Sequence, residues 1–237
     1  MLGGKKILAV VPARGGSKGI KLKNLRKIGQ QTLIEKAASV LADVDIIDRC
    51  VVSTDHSLIA ENAHNAGLEV PFVRDEMLSG DFVSDLDVLT DALIRSQDHF
   101  NTSFDYVVMI QPTSPLRTST MVRDCIELCV TRNLDSVWTV SVSDTKNHPQ
   151  KQLLLDKTGR LAYYDKNGAS IVARQQLTPT YSRNGVAYCI ASRCLIEKTS
   201  ISGDDWVGLV INEPQISIDT ELDLDFANWL ITRGGLA

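Results

Sequence analysis

Near its start the chain carries five consecutive apolar residues, Ile7-Leu8-Ala9-Val10-Val11. They stop at Pro12 and open into Ala13-Arg14-Gly15-Gly16-Ser17-Lys18-Gly19. A short apolar run closed by such a breaker reads as a buried strand. Three glycines then leave the backbone bare, so main-chain N–H groups can approach an anion closely. Arg14 and Lys18 bring two cations to the same space. A strand that opens into such a loop, with a helix soon after, is a phosphate cradle. No Gly-Lys-Ser/Thr closes the loop, so it is not a Walker motif. It also lacks G-x-G-x-x-G, which disfavours a dinucleotide dehydrogenase.

Apolar runs and helical patterns alternate beyond the cradle. Strands are expected at 7–11, 49–53, 70–73, 106–110 and 136–142, and amphipathic helices at 32–43, 56–66, 85–97 and 119–132. Leu86, Leu89, Leu93 and Ile94 share one helix face, and Val122, Ile126, Cys129 and Val130 share another. The alternation predicts an α/β fold, a mostly parallel sheet with helices on both faces. Such sheets bind ligands beyond the carboxyl ends of their strands, where the cradle and the segment after Met109-Ile110 both fall. The pattern changes between about 145 and 183, where 152–155 and 161–164 flank a turn at 156–160 as a β-hairpin. This reads as an inserted arm that covers a site or packs on another subunit. Strands return at 185–191 and 206–211, and a helix spans 221–232. The expectation is a single domain over 1–237 with the arm inserted at about 145–183.

Composition narrows the function classes. The 237 residues are 43% apolar and 23% charged, which excludes a disordered chain. No apolar run approaches the roughly 18 residues of a membrane span. Residues 1–6 lack a signal-peptide h-region. The five cysteines, Cys50, Cys125, Cys129, Cys189 and Cys194, include no C-x-x-C pair. They are expected to be buried free thiols in a reducing, cytoplasmic compartment. The net charge of −4 is unevenly spread. Residues 1–34 hold eight Lys and Arg and no acid, whereas 199–232 hold seven Asp and Glu and no base. Lys5, Lys6, Asp204 and Asp205 are expected on solvated surface; the remainder suggests a basic phosphate pocket facing acidic metal ligands. The basic cluster is short and has no interleaved aromatics, so no nucleic-acid partner is expected.

Three further segments sharpen the reading. Lys23-Asn24-Leu25 lies just beyond the cradle. Gln111-Pro112-Thr113-Ser114-Pro115-Leu116-Arg117 follows a strand and presents an amide, hydroxyls and a guanidinium at a rigid strand end. In Ser217-Ile218-Asp219-Thr220-Glu221-Leu222-Asp223, Thr220 is expected to cap the last helix, with Glu221 and Asp223 in its first turn. Asp219 precedes the helix and can face the site. With Ser53-Thr54-Asp55, Arg174-Gln175-Gln176 and Asn184-Gly185 plus Tyr188, these motifs stand in an order that resembles the acylneuraminate cytidylyltransferase family, the CMP-sialic acid synthetases. The resemblance runs from about residue 6 to residue 230.

That resemblance implies a Rossmann-like nucleotidyltransferase fold and a homodimer formed through the arm. It implies transfer of CMP from CTP to the anomeric hydroxyl of a nine-carbon α-keto acid sugar, N-acetylneuraminate or a related nonulosonate, with release of pyrophosphate. Arg14, Ser17, Lys18 and Lys23 would hold the triphosphate and Asn24 would orient the nucleotide. The backbone near Ala13, with Arg74 and Ser84, would meet base and ribose. Gln111, Thr113, Ser114, Arg174, Gln175 and Tyr188 would meet the sugar. Mg²⁺ or Mn²⁺ would sit on Asp219. Arg14, Lys18, Lys23 and Asp219 would carry catalysis. Two positions depart from the family pattern. Ser217 stands where many members have a first metal-binding aspartate, leaving Asp219, water and CTP phosphates, or Asp223, as ligands. Lys21 stands where a proline is common and is expected to face solvent. His148, beside Pro149, is expected to be structural rather than a base. The competing readings are a CMP-Kdo-type or other sugar nucleotidyltransferase, and a non-catalytic nucleotide-binding protein.

Overall fold

In the computed structural model, which describes residues 2–233, the first apolar run is strand β1, Ile7–Pro12. Ile7 to Val11 are all 0% exposed. Successive strand residues point to opposite faces, so both faces of the sheet are covered at this strand. The remaining sheet strands are β4 (Arg49–Ser53), β5 (Tyr106–Met109), β6 (Ser136–Val142), β9 (Tyr181–Ala191) and β10 (Trp206–Val210). Their order is β10-β6-β9-β5-β1-β4. β1 pairs parallel with β4 and β5, and β10 pairs parallel with β6. β9 runs antiparallel between β5 and β6.

Helices α1 (Leu33–Ala42), α2 (Ser57–Asn65), α3 (Asp85–Phe100) and α4 (Ser119–Thr131) flank this sheet. Their starts follow capping chemistry. Thr32 and Glu35 form a reciprocal capping box on α1, and Asn62 of α2 bonds both side chains. Ser84 caps α3 and Thr118 caps α4. The α3 pattern runs on to Phe100 and ends at Asn101, in the left-handed region at φ 48°. A short α5 (Ser192–Ile196) follows β9.

The expected strand at 70–73 is not formed. Pro71 lacks a ladder N–H, and the region makes only a single bridge, Glu69 to Val51. The 27–32 region instead contains a small hairpin, β2 (Lys27–Ile28) and β3 (Gln31–Thr32). It packs with α6 (Glu221–Arg233) in a cluster separate from the main core. That cluster contains Ile20, Ile28, Leu33, Ile218, Leu224 and Ala227. The expected arm contains β7 (Leu153–Leu155) paired with β8 (Leu161–Tyr163), apart from the main sheet. Leu153, Leu154, Leu155, Leu161 and Tyr163 are all exposed. Among the described residues no helix is long and apolar enough to cross a membrane. Cys125, Cys129, Cys189 and Cys194 are buried free thiols and Cys50 is partly buried. Burial pushes the Cys50 thiol up to about 12.

The β10 edge is tied down by one buried carboxylate. Asp135 accepts from Lys198 Nζ (2.6 Å), Arg193 (3.1 Å) and the backbone N–H groups of Asp204 (2.9 Å) and Asp205 (3.2 Å). The Lys198 bond, followed by these backbone donors, outweighs burial and holds its carboxyl well below the usual carboxylate range. A depressed carboxyl pKa stabilises the fold above the unfolded value near 4, and that stability is lost as pH falls. Asp135→Asn is therefore expected to lower Tm by roughly 5 °C at neutral pH. It should also flatten the loss of stability below about pH 4. Thermal melts from pH 7 to pH 2.5 check both; an unchanged acid slope would contradict the assignment.

Candidate active site

The cradle is built from β1 outward. Ala13 N–H donates to Ser53 at the end of β4 (2.9 Å), and Gly15 N–H donates to Asp55 Oδ1 (2.8 Å). Leu22 then sits in the left-handed region at φ 48°, uncommon for a bulky residue. It turns the chain into the 3₁₀ turn Lys23–Leu25. Buried Asn24 donates to the Arg14 carbonyl at 3.1 Å, bracing the cradle from below. Lys21 is exposed.

The cradle forms one wall of a cleft of about 500 Å³ at the carboxyl ends of β1 and β5. This volume suits a nucleotide-sized ligand. Arg14, Ser17, Lys18, Gly19, Lys23 and Asn24 line that wall. Gln111 and Thr113 line the β5 side, and Asp219 comes from the approach to α6. Arg74 reaches the floor, buried, with its guanidinium bonded to the Ser53 hydroxyl (2.9 Å) and carbonyl. Burial pulls Arg74 down to about 10, which still leaves it charged at neutral pH. The remaining wall is the 78–85 segment, including Asp81, Val83 and Asp85.

Carboxylates meet these cations. Asp81 bridges Arg14 (3.0 Å) and Lys18 (2.6 Å), and Asp219 pairs with Lys23 (2.9 Å). Hydrogen bonding to Lys18 holds the Asp81 carboxyl below its ordinary value. Asp223 is committed to the helix start, accepting from the N–H groups of Asp219 (3.0 Å) and Thr220 (2.7 Å). Glu221 pairs with both nitrogens of the Arg26 fork at 2.6 and 2.8 Å. Asp223 therefore serves the first turn of α6 and Glu221 ties that turn to Arg26, while Asp219 lines the cleft. Ser217 Oγ lies 3.4 Å from Asp219 Oδ2.

Several residues expected at the site lie outside the lining of this cleft. Ser114 is 0% exposed and its hydroxyl donates to the Asn184 carbonyl at 2.8 Å. Tyr188 is 2% exposed, and its hydroxyl accepts from Gly185 N–H at 2.7 Å. Neither reaches the cleft; both brace its wall. Arg117 is likewise buried, donating to the carbonyls of Val186 (3.0 Å), Gly185 (2.9 Å) and Gln111. Burial pulls this guanidinium down to about 9. Gly185 adopts φ 72°, and a Cβ there would lie 2.4 Å from Ser114 Oγ and 2.6 Å from Gln111 Oε1. The buried network thus fixes the Gln111 backbone, and the bare Gly185 leaves room for its side-chain amide. Ser84 is occupied as the α3 cap, bonded to Asp87, and Ala13 is buried beneath the loop. Arg174 and Gln175 are exposed on the arm and do not line this cleft. His148 is buried at the arm's base, bonded to the Thr178 carbonyl (2.9 Å) and to Gln150 N–H (3.2 Å). Sequence reasoning named Ser53-Thr54-Asp55 without a role for Asp55 under the cradle, and missed Asp81 and Val83. An acid directly after Gly80, in a stretch without periodicity, was the available signal for Asp81.

A cationic glycine loop at the end of a buried β-strand, facing polar groups from the neighbouring strand end, defines an α/β protein built to take a phosphorylated ligand at its strand ends. A solved structure titled CMP:2-keto-3-deoxy-manno-octonic acid synthetase complexed with CTP shares the fold, with a TM-score of 0.70 at 14% identity. That alignment covers 97% of this chain and 99% of the other. The cytidylyltransferase family model matches residues 8–200, and the chain belongs to that family. Among curated relatives, CMP-N,N'-diacetyllegionaminic acid synthase of Legionella pneumophila is 30% identical over 94% of each chain. The pseudaminic acid cytidylyltransferase of Campylobacter jejuni is 28% identical over 95% of this chain and 96% of its own.

The Arg117 network yields a stability test. Arg117→Ala strands buried carbonyls and is expected to cost about 2–4 kcal/mol in urea unfolding. Arg117→Lys should recover little of that loss, because an ammonium lacks the planar fork. Full recovery by lysine would show that charge, rather than fork geometry, holds the junction.

Proposed function

We propose that this chain transfers CMP from CTP to the anomeric hydroxyl of a nine-carbon α-keto acid sugar and releases pyrophosphate. The carrying observation is the convergence of Arg14, Lys18 and Lys23 with Gln111, Thr113 and Asp219 on one cleft at the strand ends. The bare cradle and its cations hold the β- and γ-phosphates and stabilise charge on the departing pyrophosphate. Arg74, fixed by Ser53, presents its guanidinium to the nucleoside end. Gln111 and Thr113 meet sugar hydroxyls, so the hydroxyl and the α-phosphorus are brought together by positioning. The relatives' names and the family resemblance together point to a nonulosonate of the legionaminate, pseudaminate or N-acylneuraminate type.

Among the described residues no three His, Cys, Asp or Glu side chains assemble a metal site. Asp219 nevertheless offers a hard, exposed carboxylate on the cleft, which fits a cation that completes its shell with triphosphate oxygens and water. Mg²⁺ or Mn²⁺ held there would neutralise phosphate charge. Arg174 and Gln175 lie on the arm, outside their own cleft. In our reading the exposed apolar hairpin packs on a second copy, and that homodimer brings these side chains to a sugar. Five free thiols accord with a cytoplasmic setting.

Pyrophosphate release with CTP and a panel of N-acetylneuraminate, legionaminate, pseudaminate and Kdo tests the activity. Release with a nine-carbon acid is expected, and Lys18→Ala should lower kcat/KM by about 10²–10³. CTP binding without release from any acid would favour the non-catalytic reading, and release with Kdo alone would favour the Kdo-type reading. Light scattering is expected to give twice the chain mass. Leu154→Asp with Leu161→Asp should give one chain mass, and a monomeric parent would remove the arm's proposed role.

A further inference from the structure

Every cradle cation on the cleft is already matched by a carboxylate of the chain. Lys23 has Asp219, while Arg14 and Lys18 share Asp81, one on each carboxylate oxygen. Asp85, four residues on, is engaged with Arg183 at 3.3 Å, so it does not compete for the same pair. Asp81 sits between the 3₁₀ turn Glu76–Leu78 and the start of α3. The neighbouring Phe82 is fully exposed and packs on nothing. Arg14 also donates to the Ser79 carbonyl at 3.4 Å. Ion pairing to the cradle, not burial, therefore holds the tip of this segment against the cleft.

A carboxylate placed between two phosphate-binding cations competes with phosphate. It carries one charge, whereas the β,γ-diphosphate end of CTP and free pyrophosphate carry several. A polyphosphate can displace it, at the cost of breaking two ion pairs. The same competition acts in reverse once pyrophosphate is formed. We propose that Asp81 is an internal counter-anion of the cradle, which weakens polyphosphate binding and drives pyrophosphate release. The inference rests on the cradle's proposed role in binding the triphosphate. It assigns Asp81 to product release, opposite in sign to the cations it touches.

Titration calorimetry of inorganic pyrophosphate with the full chain in EDTA tests this without turnover. Asp81→Asn keeps the side-chain shape and removes the charge. It should bind pyrophosphate about threefold to tenfold more tightly, the range expected from losing two partly exposed ion pairs. CMP, whose single phosphate does not span the cradle, should bind both proteins equally. The gain should shrink when Lys18→Ala is combined with Asp81→Asn, and Asp81→Ala should change binding in the same direction as Asp81→Asn. Equal or weaker pyrophosphate binding by Asp81→Asn overturns the proposal, as does an equal gain for CMP. If the parent binds pyrophosphate and Lys18→Ala abolishes binding, failure of Asp81→Asn removes only the counter-anion role. If the parent binds no pyrophosphate, the cradle reading falls with it.

Discussion

Three segments far apart in sequence meet at one backbone joint, and the cleft depends on it. Gly19 lies so close to the approach to α6 that a Cβ there would stand 2.3 Å from the Asp219 carbonyl oxygen. Only glycine permits that approach without moving one segment. Next to it, Ile218 N–H donates to the Thr113 carbonyl at 2.9 Å. Ile20 and Ile218, on either side of the joint, are buried in the small cluster under α6. The cradle, the 111–117 segment and the Asp219 carboxylate are thereby held in fixed relation by main-chain contact and apolar packing. The cleft side chains take no part in this joint; Arg14, Lys18 and Lys23 are held by ion pairs that a ligand's charge can exchange.

A second scaffold lies behind the β5 side of the cleft. The chain re-enters the sheet from the arm as β9, antiparallel between β5 and β6. The register shifts between Trp138 and Val140, and Thr139 at the shift bonds both the Asn184 side chain and the Ala187 backbone. Arg117 then clamps the 111–117 segment to β9 through carbonyl oxygens. A polar network in which the buried groups are paired is rigid, because breaking one bond leaves an unsatisfied group in low dielectric. This rigidity contrasts with the 78–84 wall, where ion pairs at the rim do the holding.

The main strands and helices were legible wherever burial leaves a pattern. β1 and β5 are uninterrupted apolar runs because both sheet faces are covered, and α3 shows its 3.6-residue period because one face packs inward. The 70–73 run was misleading because apolar residues beside a proline can pack without joining a ladder. The direction of β9 was hidden, since strand orientation depends on where the arm returns the chain and not on local composition. At the site, the cradle cations were readable because glycines and cations adjoin a strand end. Ser114 and Tyr188 were expected at the sugar because the family resemblance placed them there, and Arg117 was read only as a guanidinium at the strand end. Their partners are main-chain groups of residues 111 and 184–186, which no side-chain motif displays. Asp81 left only a faint trace, an acid after Gly80, because its partners are the cradle cations, about sixty residues away in sequence, and no periodic signal marks its loop.

The central claim is that the joint at Gly19 holds a triphosphate grip. A crystal structure of the chain with CTP and Ca²⁺ in place of the reactive metal tests it most directly. The account predicts the β- and γ-phosphates on the backbone of residues 15–19, within hydrogen-bonding distance of Arg14 and Lys18, and the cytosine toward Arg74. A triphosphate bound elsewhere, with the cradle cations still paired to Asp81, would contradict it.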